Sequence, residues 1–183
     1  MNFYGAKELA DSFRTVRKNT LLVAQDIPED KYSFRAAPGT RSVGELFAHI
    51  ALMPSLPYRI HGTDHLSTLE GFDFFGVFGG LIAGEKEPRT KAQVIDLLTK
   101  EGDRFAGWLE GLKDDFLAER VTFPAGMTPP VKTRFEMIMG AKEHEMHHRG
   151  QLMLIERIIG ITPHLTRDME ARIAEMQKAK ASA

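Results

Sequence analysis

Four segments of this sequence repeat apolar residues at spacings of three and four, and no segment alternates apolar and polar residues long enough to predict a strand. Such spacing places the apolar side chains along one face of an α-helix. A helix of this kind is stable in water only when its apolar face packs against another element. The sequence therefore predicts an all-α fold, a four-helix bundle with long crossover connections and a short C-terminal helix.

Capping motifs and prolines indicate where these helices begin and end. Ser42 precedes Glu45 with the spacing of a capping box, in which each side chain accepts a hydrogen bond from a free backbone N–H group. Helices are predicted over residues 4–26, from 41–42 to at least 53, over 90–112 and over 133–159, with a short fifth helix capped by Thr166. We expect a single domain over residues 1–183, with a disordered tail over about 177–183.

The longest connection, residues 61–89, combines glycines with Phe72, Phe74, Phe75 and Phe78. A connection of this length is unusual inside one domain and is more often functional than a simple linker. We expect it to be irregular. Its phenylalanines are predicted either to cover the functional site and exclude water or to pack at a dimer interface.

Composition narrows the range of partners. The formal net charge is -1 and the basic residues are scattered, so neither nucleic acid nor a membrane surface is an expected partner. Cysteine is absent, which excludes a disulfide, a thiolate metal ligand and a cysteine nucleophile. No stretch has the pattern of a signal peptide or a membrane span, and we expect a cytoplasmic protein.

The segment 142–151, KEHEMHHRGQ, carries the most informative spacing in the chain. Residues four apart on an α-helix are offset by only about 40° and rise by about 6 Å. His144 and His148 therefore project from the same side of the predicted helix, the side that also carries Leu152 and Ile155. We expect both imidazoles to be directed into the apolar core.

Buried imidazoles need hydrogen-bond partners, and a shared divalent ion would satisfy both rings at once. The alternative is that each ring is hydrogen-bonded separately within the core. His49 adds a third histidine on the apolar side of another helix, and three histidines with an open position form a known catalytic metal geometry. We predict that His49, His144 and His148 bind one divalent transition metal ion per chain, nickel or zinc.

A competing interpretation is the zinc-peptidase pattern HExxH, which His144, Glu145 and His148 satisfy. In such enzymes the glutamate is the general base, and here Asp168 or Glu170 would supply an acidic third ligand. The lack of predicted strands argues against a peptidase. Glu145 nevertheless remains a candidate catalytic base for any metal-dependent reaction.

Other polar residues have secondary predicted roles. Gln151 and His147 are expected beside the site, where Gln151 could orient a ligand or a bound substrate. His61 and His65 are predicted in a loop, and His61, His65 or Glu145 could act as a fourth protein ligand. His164 is predicted to face solvent.

With these residues assembled, the chain resembles the DinB family, together with its relatives among bacillithiol and mycothiol S-transferases, over nearly its whole length. The connector IPEDKYSFRAAPGTRSVGELFAHIA resembles the family's stretch leading to its first ligand, which falls on His49. The segment HEMHHRGQL resembles the motif of the fourth helix, whose two ligands fall on His144 and His148. The resemblance implies a four-helix bundle, a nickel- or zinc-type ion held by three histidines, and a homodimer.

Three functions are compatible with such a site. The leading hypothesis, motivated by the family resemblance and the open three-histidine site, is a metal-dependent S-transferase that adds a thiol to a small electrophile. Because the chain has no cysteine, that thiol must be a small-molecule cosubstrate. The second is a metal-dependent hydrolase in which Glu145 assists a metal-bound hydroxide. The third is a non-catalytic metal-binding module, closed by a fourth protein ligand.

Overall fold

The computed structural model describes residues 4–181 and places helices at most of the positions that the sequence predicts. The helices are α1 (Ala6–Asp26), α2 (Val43–Leu52), α3 (Ser55–Pro57), α4 (Phe74–Glu85), α5 (Lys91–Glu110), α6 (Asp114–Ala118), α7 (Arg134–Ile158) and α8 (His164–Ala181). A 3₁₀ turn spans Glu29–Lys31, and a π-helix spans Tyr58–Thr63. The strands β1 (Arg120–Thr122) and β2 (Val131–Thr133) pair in antiparallel orientation.

The starts of three bundle helices are determined by capping boxes. Ser42, Thr90 and Thr133 each accept a hydrogen bond from the backbone N–H group three residues later. The side chains at those later positions, Glu45, Gln93 and Glu136, accept from the N–H group of the capping residue. A cap of this kind stabilises a helix by about 1 kcal/mol. The predicted starts of α2, α5 and α7 are confirmed.

Helices α1, α2, α5 and α7 form a four-helix bundle. Both α1 and α2 pack against α5 and α7, so α1 and α2 lie diagonally opposite each other. The chain must therefore cross the end of the bundle between them, through residues 27–42. The predicted four-helix bundle with long crossovers is confirmed.

Arg17 lies at the centre of this bundle and is only 4% exposed. Its guanidinium donates to the carbonyl oxygen of Leu98 in α5 at 2.5 Å, to that of Ile50 in α2 at 3.3 Å, and to the carboxylate of Glu145 in α7. A Cβ atom on Gly102 would lie 2.8 Å from Cγ of Arg17, so α5 needs glycine where it passes this side chain. Arg17, on α1, thus links all four bundle helices.

The connection 61–89 is more ordered than the sequence indicated, because it contains the helix α4. The side chain of Asp73 caps α4 by accepting from the N–H group of Gly76 at 2.8 Å. A Cβ atom on Gly84 would lie 3.1 Å from Cδ1 of Leu52, so this glycine allows α4 to approach α2 closely. Helix α4 is apolar on nearly all sides and rich in glycine, so its sequence shows no clear helical period.

Two further differences concern short or terminal elements. The strands β1 and β2 were not predicted, since three residues are too few to show alternation. Helix α8 begins at His164 rather than after Thr166 and continues through Ala181, so most of the tail expected to be disordered from residue 177 is helical, and residues 182–183 lie outside the described range. Neither α8 nor any other described helix is long and apolar enough to cross a membrane.

Candidate metal centre

The three histidines singled out by the sequence lie together, although they come from two helices. His49 is in the second half of α2, and His144 and His148 are one turn apart on α7. Their Nε2 atoms are 3.1 Å apart in each of the three pairs. His49 is buried and the other two are half-buried. The cluster therefore lies just beneath the surface of the bundle.

The orientation of His49 depends on Glu85, a residue that the sequence did not single out. Glu85 is the last residue of α4, and its Oε1 accepts a hydrogen bond from Nδ1 of His49 at 2.5 Å. Its Oε2 accepts from Nε of Arg41 at 2.7 Å. Burial works to raise the pKa of Glu85, but the hydrogen bonds from Arg41 and His49 outweigh it and hold that pKa below its usual value. The carboxylate thus keeps the proton of His49 on Nδ1 and leaves a lone pair on Nε2.

His148 is oriented in a similar way by Gln151. Its Nδ1 donates to Oε1 of Gln151 at 2.9 Å, and Nε2 of Gln151 donates to Nε2 of His147 at 3.1 Å. An amide oxygen can only accept, so this arrangement places the proton of His148 on Nδ1 and a lone pair on Nε2. Gln151 therefore contacts the cluster directly. His147 is exposed; its Nε2 accepts from Gln151, and its ring packs edge-on against that of His148 with centroids 4.9 Å apart.

The three donors fit a divalent transition metal ion. The Nε2 lone pairs of His49 and His148 face each other at 3.1 Å, and the one proton that Nε2 of His144 could carry cannot satisfy both. Nitrogen ligands about 2.0–2.1 Å from a tetrahedral zinc ion lie about 3.3 Å apart, close to the separation in this cluster. Burial lowers the pKa of all three rings, that of His144 to about 4, so they are neutral at pH 7 as metal ligands must be.

Two cavities adjoin the cluster and differ in character. The larger, of about 720 Å³, is bordered by His148 and Gln151 and by five charged residues, Arg35, Arg41, Glu45, Glu85 and Lys86. The smaller, of about 250 Å³, is bordered by His144 and otherwise mostly by apolar side chains. The cluster therefore lies between a cavity bordered by several charged side chains and one bordered by none.

A family model of the DinB superfamily matches residues 12–152, a range that contains all three clustered histidines. The chain belongs to the DinB superfamily. The DinB-like protein YjoA from Bacillus subtilis is 23% identical, with a TM-score of 0.61 over 85% of this chain and 94% of that one. YfiT from Bacillus subtilis, described as a probable metal-dependent hydrolase with an unusual four-helix bundle topology, is 13% identical, with a TM-score of 0.66 over 88% of this chain and 91% of that one. No curated protein sequence matches.

In this DinB-superfamily protein, Glu145 is not placed to act as the catalytic base suggested by the HExxH pattern. Its carboxylate is 1% exposed and accepts three hydrogen bonds from Arg17 and one from the Thr20 hydroxyl, at 2.7–3.1 Å. Both oxygens are engaged with α1, because position 145 is rotated by roughly 100° from His144 around the helix. Asp168 and Glu170, the acidic ligands of the peptidase alternative, are exposed on α8 and lie outside the cluster. The structure corrects these assignments.

The remaining histidines with predicted roles also lie outside the three-histidine cluster. His61 is fully buried in the π-helix rather than in a loop, and its Nδ1 accepts from Nη1 of Arg134 at 3.0 Å. His65 is exposed, in a left-handed backbone conformation with φ 48°. His164 was expected to face solvent but is 4% exposed at the start of α8. Within residues 4–181, none of the three is positioned as a fourth ligand.

The four phenylalanines of the long connection do not act as one cover. Phe74 borders the smaller cavity together with His144, and its ring packs edge-on against Phe72 with centroids 4.7 Å apart. Phe78 is half-buried and stacks on Phe74. Phe75 is 93% exposed and borders neither cavity. Only Phe74 has the position that a residue covering the cluster requires.

Proposed function

We propose that this DinB-superfamily protein binds one divalent transition metal ion, nickel or zinc, through His49, His144 and His148, and transfers a low-molecular-weight thiol to a small electrophile. The observation that carries the proposal is the convergence of three Nε2 atoms, 3.1 Å apart in each pair. Two of the rings, His49 and His148, have their Nδ1 protons already engaged. Imidazole nitrogen is a favoured ligand of both metals.

The donor set supports an open site rather than a closed structural one. His61 and Glu145, two residues considered as fourth ligands, are held by Arg134 and Arg17 instead. Among the described residues, the cluster consists of three histidines. An ion held by three neutral ligands keeps an exchangeable position, where it would lower the pKa of a bound thiol or water at neutral pH.

A thiol nucleophile would have to come from a cosubstrate, because the chain contains no cysteine. One feature of the site favours a thiol over water. Glu85 and Glu145, the carboxylates next to the ligands, are both engaged in hydrogen bonds and neither is free to activate water. A thiol with a pKa of about 8.5 loses its proton far more readily than water does. In the transfer, the sulfur bonds to the electrophilic carbon, the leaving group departs with the electron pair of the broken bond, and the thiol proton passes to solvent.

Metal content and thiol conjugation together test this proposal. Untagged protein purified without added metal should contain about one transition metal ion per chain by mass spectrometry, and His49→Ala should lose it. The metal-loaded protein is then assayed for conjugation of bacillithiol, mycothiol, glutathione and cysteine to small electrophiles. We expect a rate above the metal-free background with at least one thiol, lost in His49→Ala. Background rates with all four thiols would reject the transferase even if metal is bound.

The second candidate is a metal-dependent hydrolase that uses water as the nucleophile. It is favoured by the likeness of the fold to YfiT, which is described as a probable metal-dependent hydrolase. The same metal-loaded protein and His49→Ala are assayed on a library of esters and amides without added thiol. Metal-dependent hydrolysis that needs no thiol would select this function over the transferase.

We extend the proposal to a homodimer in the cytoplasm, where small thiols are kept reduced. Apolar side chains are exposed along one stripe of α8, formed by Leu165, Met169, Ile173 and Met176. An exposed apolar stripe on a protein of this size is typical of a protein interface. Light scattering should give twice the chain mass for the wild type and a single chain mass for Ile173→Glu. A monomeric wild type would reject the dimer.

A further inference from the structure

The smaller cavity beside His144 has a lining without charged side chains among the residues that border it. Its apolar walls include Leu56, Ile60, Leu69, Phe74, Phe123 and Met137. The other polar side chain of the lining is His61, whose buried ring stays neutral because burial and the neighbouring Arg134 lower its pKa to about 4. A charged group placed here would lose its hydration without meeting an opposite charge, and the unpaired Nε2–H group of the neutral His61 ring could give it only one hydrogen bond. The cavity therefore favours an uncharged, apolar occupant.

The volume of the cavity sets the size of that occupant. It measures about 250 Å³, whereas an engineered apolar cavity of about 150 Å³ is large enough to bind benzene. One aromatic ring with a short substituent, or a short branched alkyl group, would fit. The larger cavity beside His148 suits a different reactant, because five charged residues border it.

His144 joins the smaller cavity to the cluster. Its ring borders the cavity, and its Nε2 atom is 3.1 Å from Nε2 of both His49 and His148. We propose that this cavity binds the uncharged aromatic or short alkyl arm of the electrophile and so determines which electrophiles react. That the bound compound is an electrophile rests on the proposed function, whereas binding of an apolar group rests on the cavity alone.

Gly140 offers a way to fill the cavity with a single substitution. It lies on α7 and borders the cavity, and a Cβ atom added there would meet nothing within 4 Å. A leucine at this position therefore has room for its Cβ atom, and we expect the rest of its side chain to occupy part of the cavity. Gly107 on α5 is the matched control, because it is exposed and a Cβ atom added there also meets nothing within 4 Å.

Binding is measured without any reaction, with fluorobenzene as the probe and ¹⁹F NMR as the readout. We expect saturable binding to the wild type and to Gly107→Leu, with or without zinc, and at least tenfold weaker binding to Gly140→Leu. In wild-type protein with ¹³C-labelled methionine methyl groups, fluorobenzene should shift the signals of Met53 and Met137, which border the cavity. The exposed Met146 and Met176 should not shift. This second measurement needs no variant to fold.

Equal binding by Gly140→Leu and the wild type, or shifts at Met146 and Met176 instead, would overturn the proposal. The reaction gives a further test with benzyl chloride and chloroacetate, which share a chloromethyl group and differ in a phenyl ring and a carboxylate. Gly140→Leu should lower kcat/KM for benzyl chloride at least tenfold more than it lowers kcat/KM for chloroacetate, and equal losses for the two compounds would contradict the proposed role of the cavity. If no thiol is transferred to either compound, the proposed transferase fails, while the fluorobenzene result still decides whether the cavity binds an apolar group.

Discussion

Helix α7 buries two glutamates eleven residues apart, and their surroundings are opposite. Glu145, in the middle of the helix, accepts four hydrogen bonds from Arg17 and Thr20. Glu156, near its C-terminal end, is fully buried, and neither of its oxygens has a partner among the described residues. Burial, reinforced by the charge of Asp26, raises the pKa of Glu156 to about 7. A carboxyl group in the interior is thus either paired with a cation or held neutral by its own proton.

The three clustered histidines combine the situations of Glu145 and Glu156, because some of their ring nitrogens have hydrogen-bond partners in the protein and others do not. The Nδ1 atoms of His49 and His148 have partners in the protein, as the oxygens of Glu145 do. Their Nε2 lone pairs face each other at 3.1 Å, and the one proton that Nε2 of His144 could carry satisfies at most one of them, so part of the cluster lacks a proton donor, whereas both oxygens of Glu156 lack partners. Groups whose partners all lie in the protein stabilise the fold, whereas groups that lack them must take a proton or an ion from solution.

Removal of Arg17 would leave Glu145 in the situation of Glu156. We expect Arg17→Met to lower the free energy of unfolding by about 3–5 kcal/mol, because it leaves a buried carboxylate unpaired. Arg14→Met on the same helix is the control, since it breaks an exposed pair with Glu110 and should cost less than about 1 kcal/mol. Urea unfolding at pH 7 measures both. Equal losses in the two variants would show that the buried pair contributes no more than the exposed one.

Removal of His148 tests whether the unpaired Nε2 atoms bind an ion. Structural zinc sites with four ligands bind with about 10–16 kcal/mol, so one ligand contributes roughly 3–4 kcal/mol. His148→Ala should therefore weaken zinc binding several hundredfold in a competition titration, on the order of those 3–4 kcal/mol. His147→Ala is the control, because this neighbouring ring is exposed and lies outside the three-histidine cluster. An equal loss in both variants would place His147 among the ligands.

The unpaired Glu156 predicts that stability falls as the pH rises. In the unfolded chain a glutamate loses its proton near pH 4.5, whereas folded Glu156 keeps it up to about pH 7. Between these values the unfolded state binds fewer protons, so the free energy of unfolding should decrease with pH, by about 3 kcal/mol in total. Glu156→Gln should remove this decrease, and Glu143→Gln, at an exposed position of the same helix, should retain it. A pH profile of Glu156→Gln identical to that of the wild type would assign the decrease to another group.

The smallest effect concerns Glu85, which orients His49. Partners that orient a metal ligand typically contribute 10–100-fold to metal affinity, or about 1.4–2.7 kcal/mol. Glu85→Gln keeps an acceptor for Nδ1 but loses the charge, so we expect a loss of about tenfold, at the lower end of that range. Glu87→Gln, two residues along and exposed, should leave zinc affinity unchanged. Unchanged affinity in Glu85→Gln would mean that α2 alone positions His49.

Features that depend on near neighbours in the chain were predicted well. The helix starts at Ser42, Thr90 and Thr133 follow from capping residues three positions apart, and the structure confirms them. The spacing of His144 and His148 is likewise a local feature, because residues four apart on a helix lie on the same face. The position of His49 on the apolar side of another helix made it the candidate third ligand, and the family resemblance then supported it.

Features that depend on distant contacts were missed. Glu85 meets His49 from a glycine-rich helix with no clear apolar period, so no local pattern marks it. The HExxH pattern describes Glu145 by its neighbours on α7, but its role depends on Arg17, 128 positions away in the chain. A sequence motif specifies which residues share a helix face. It does not specify which side chains of a neighbouring helix contact the other faces.

The links that Arg17 makes to α2, α5 and α7 have a consequence for the timing of metal uptake. Because these links hold α2 and α7 in register, we expect the three imidazoles to be assembled before an ion arrives. Uptake would then be a simple association step, separate from folding. The affinity of a preformed site of three nitrogens for divalent metals follows the general order of these metals. The shape of such a site does little to select among them. The occupant would therefore be decided by which ion the cell keeps available.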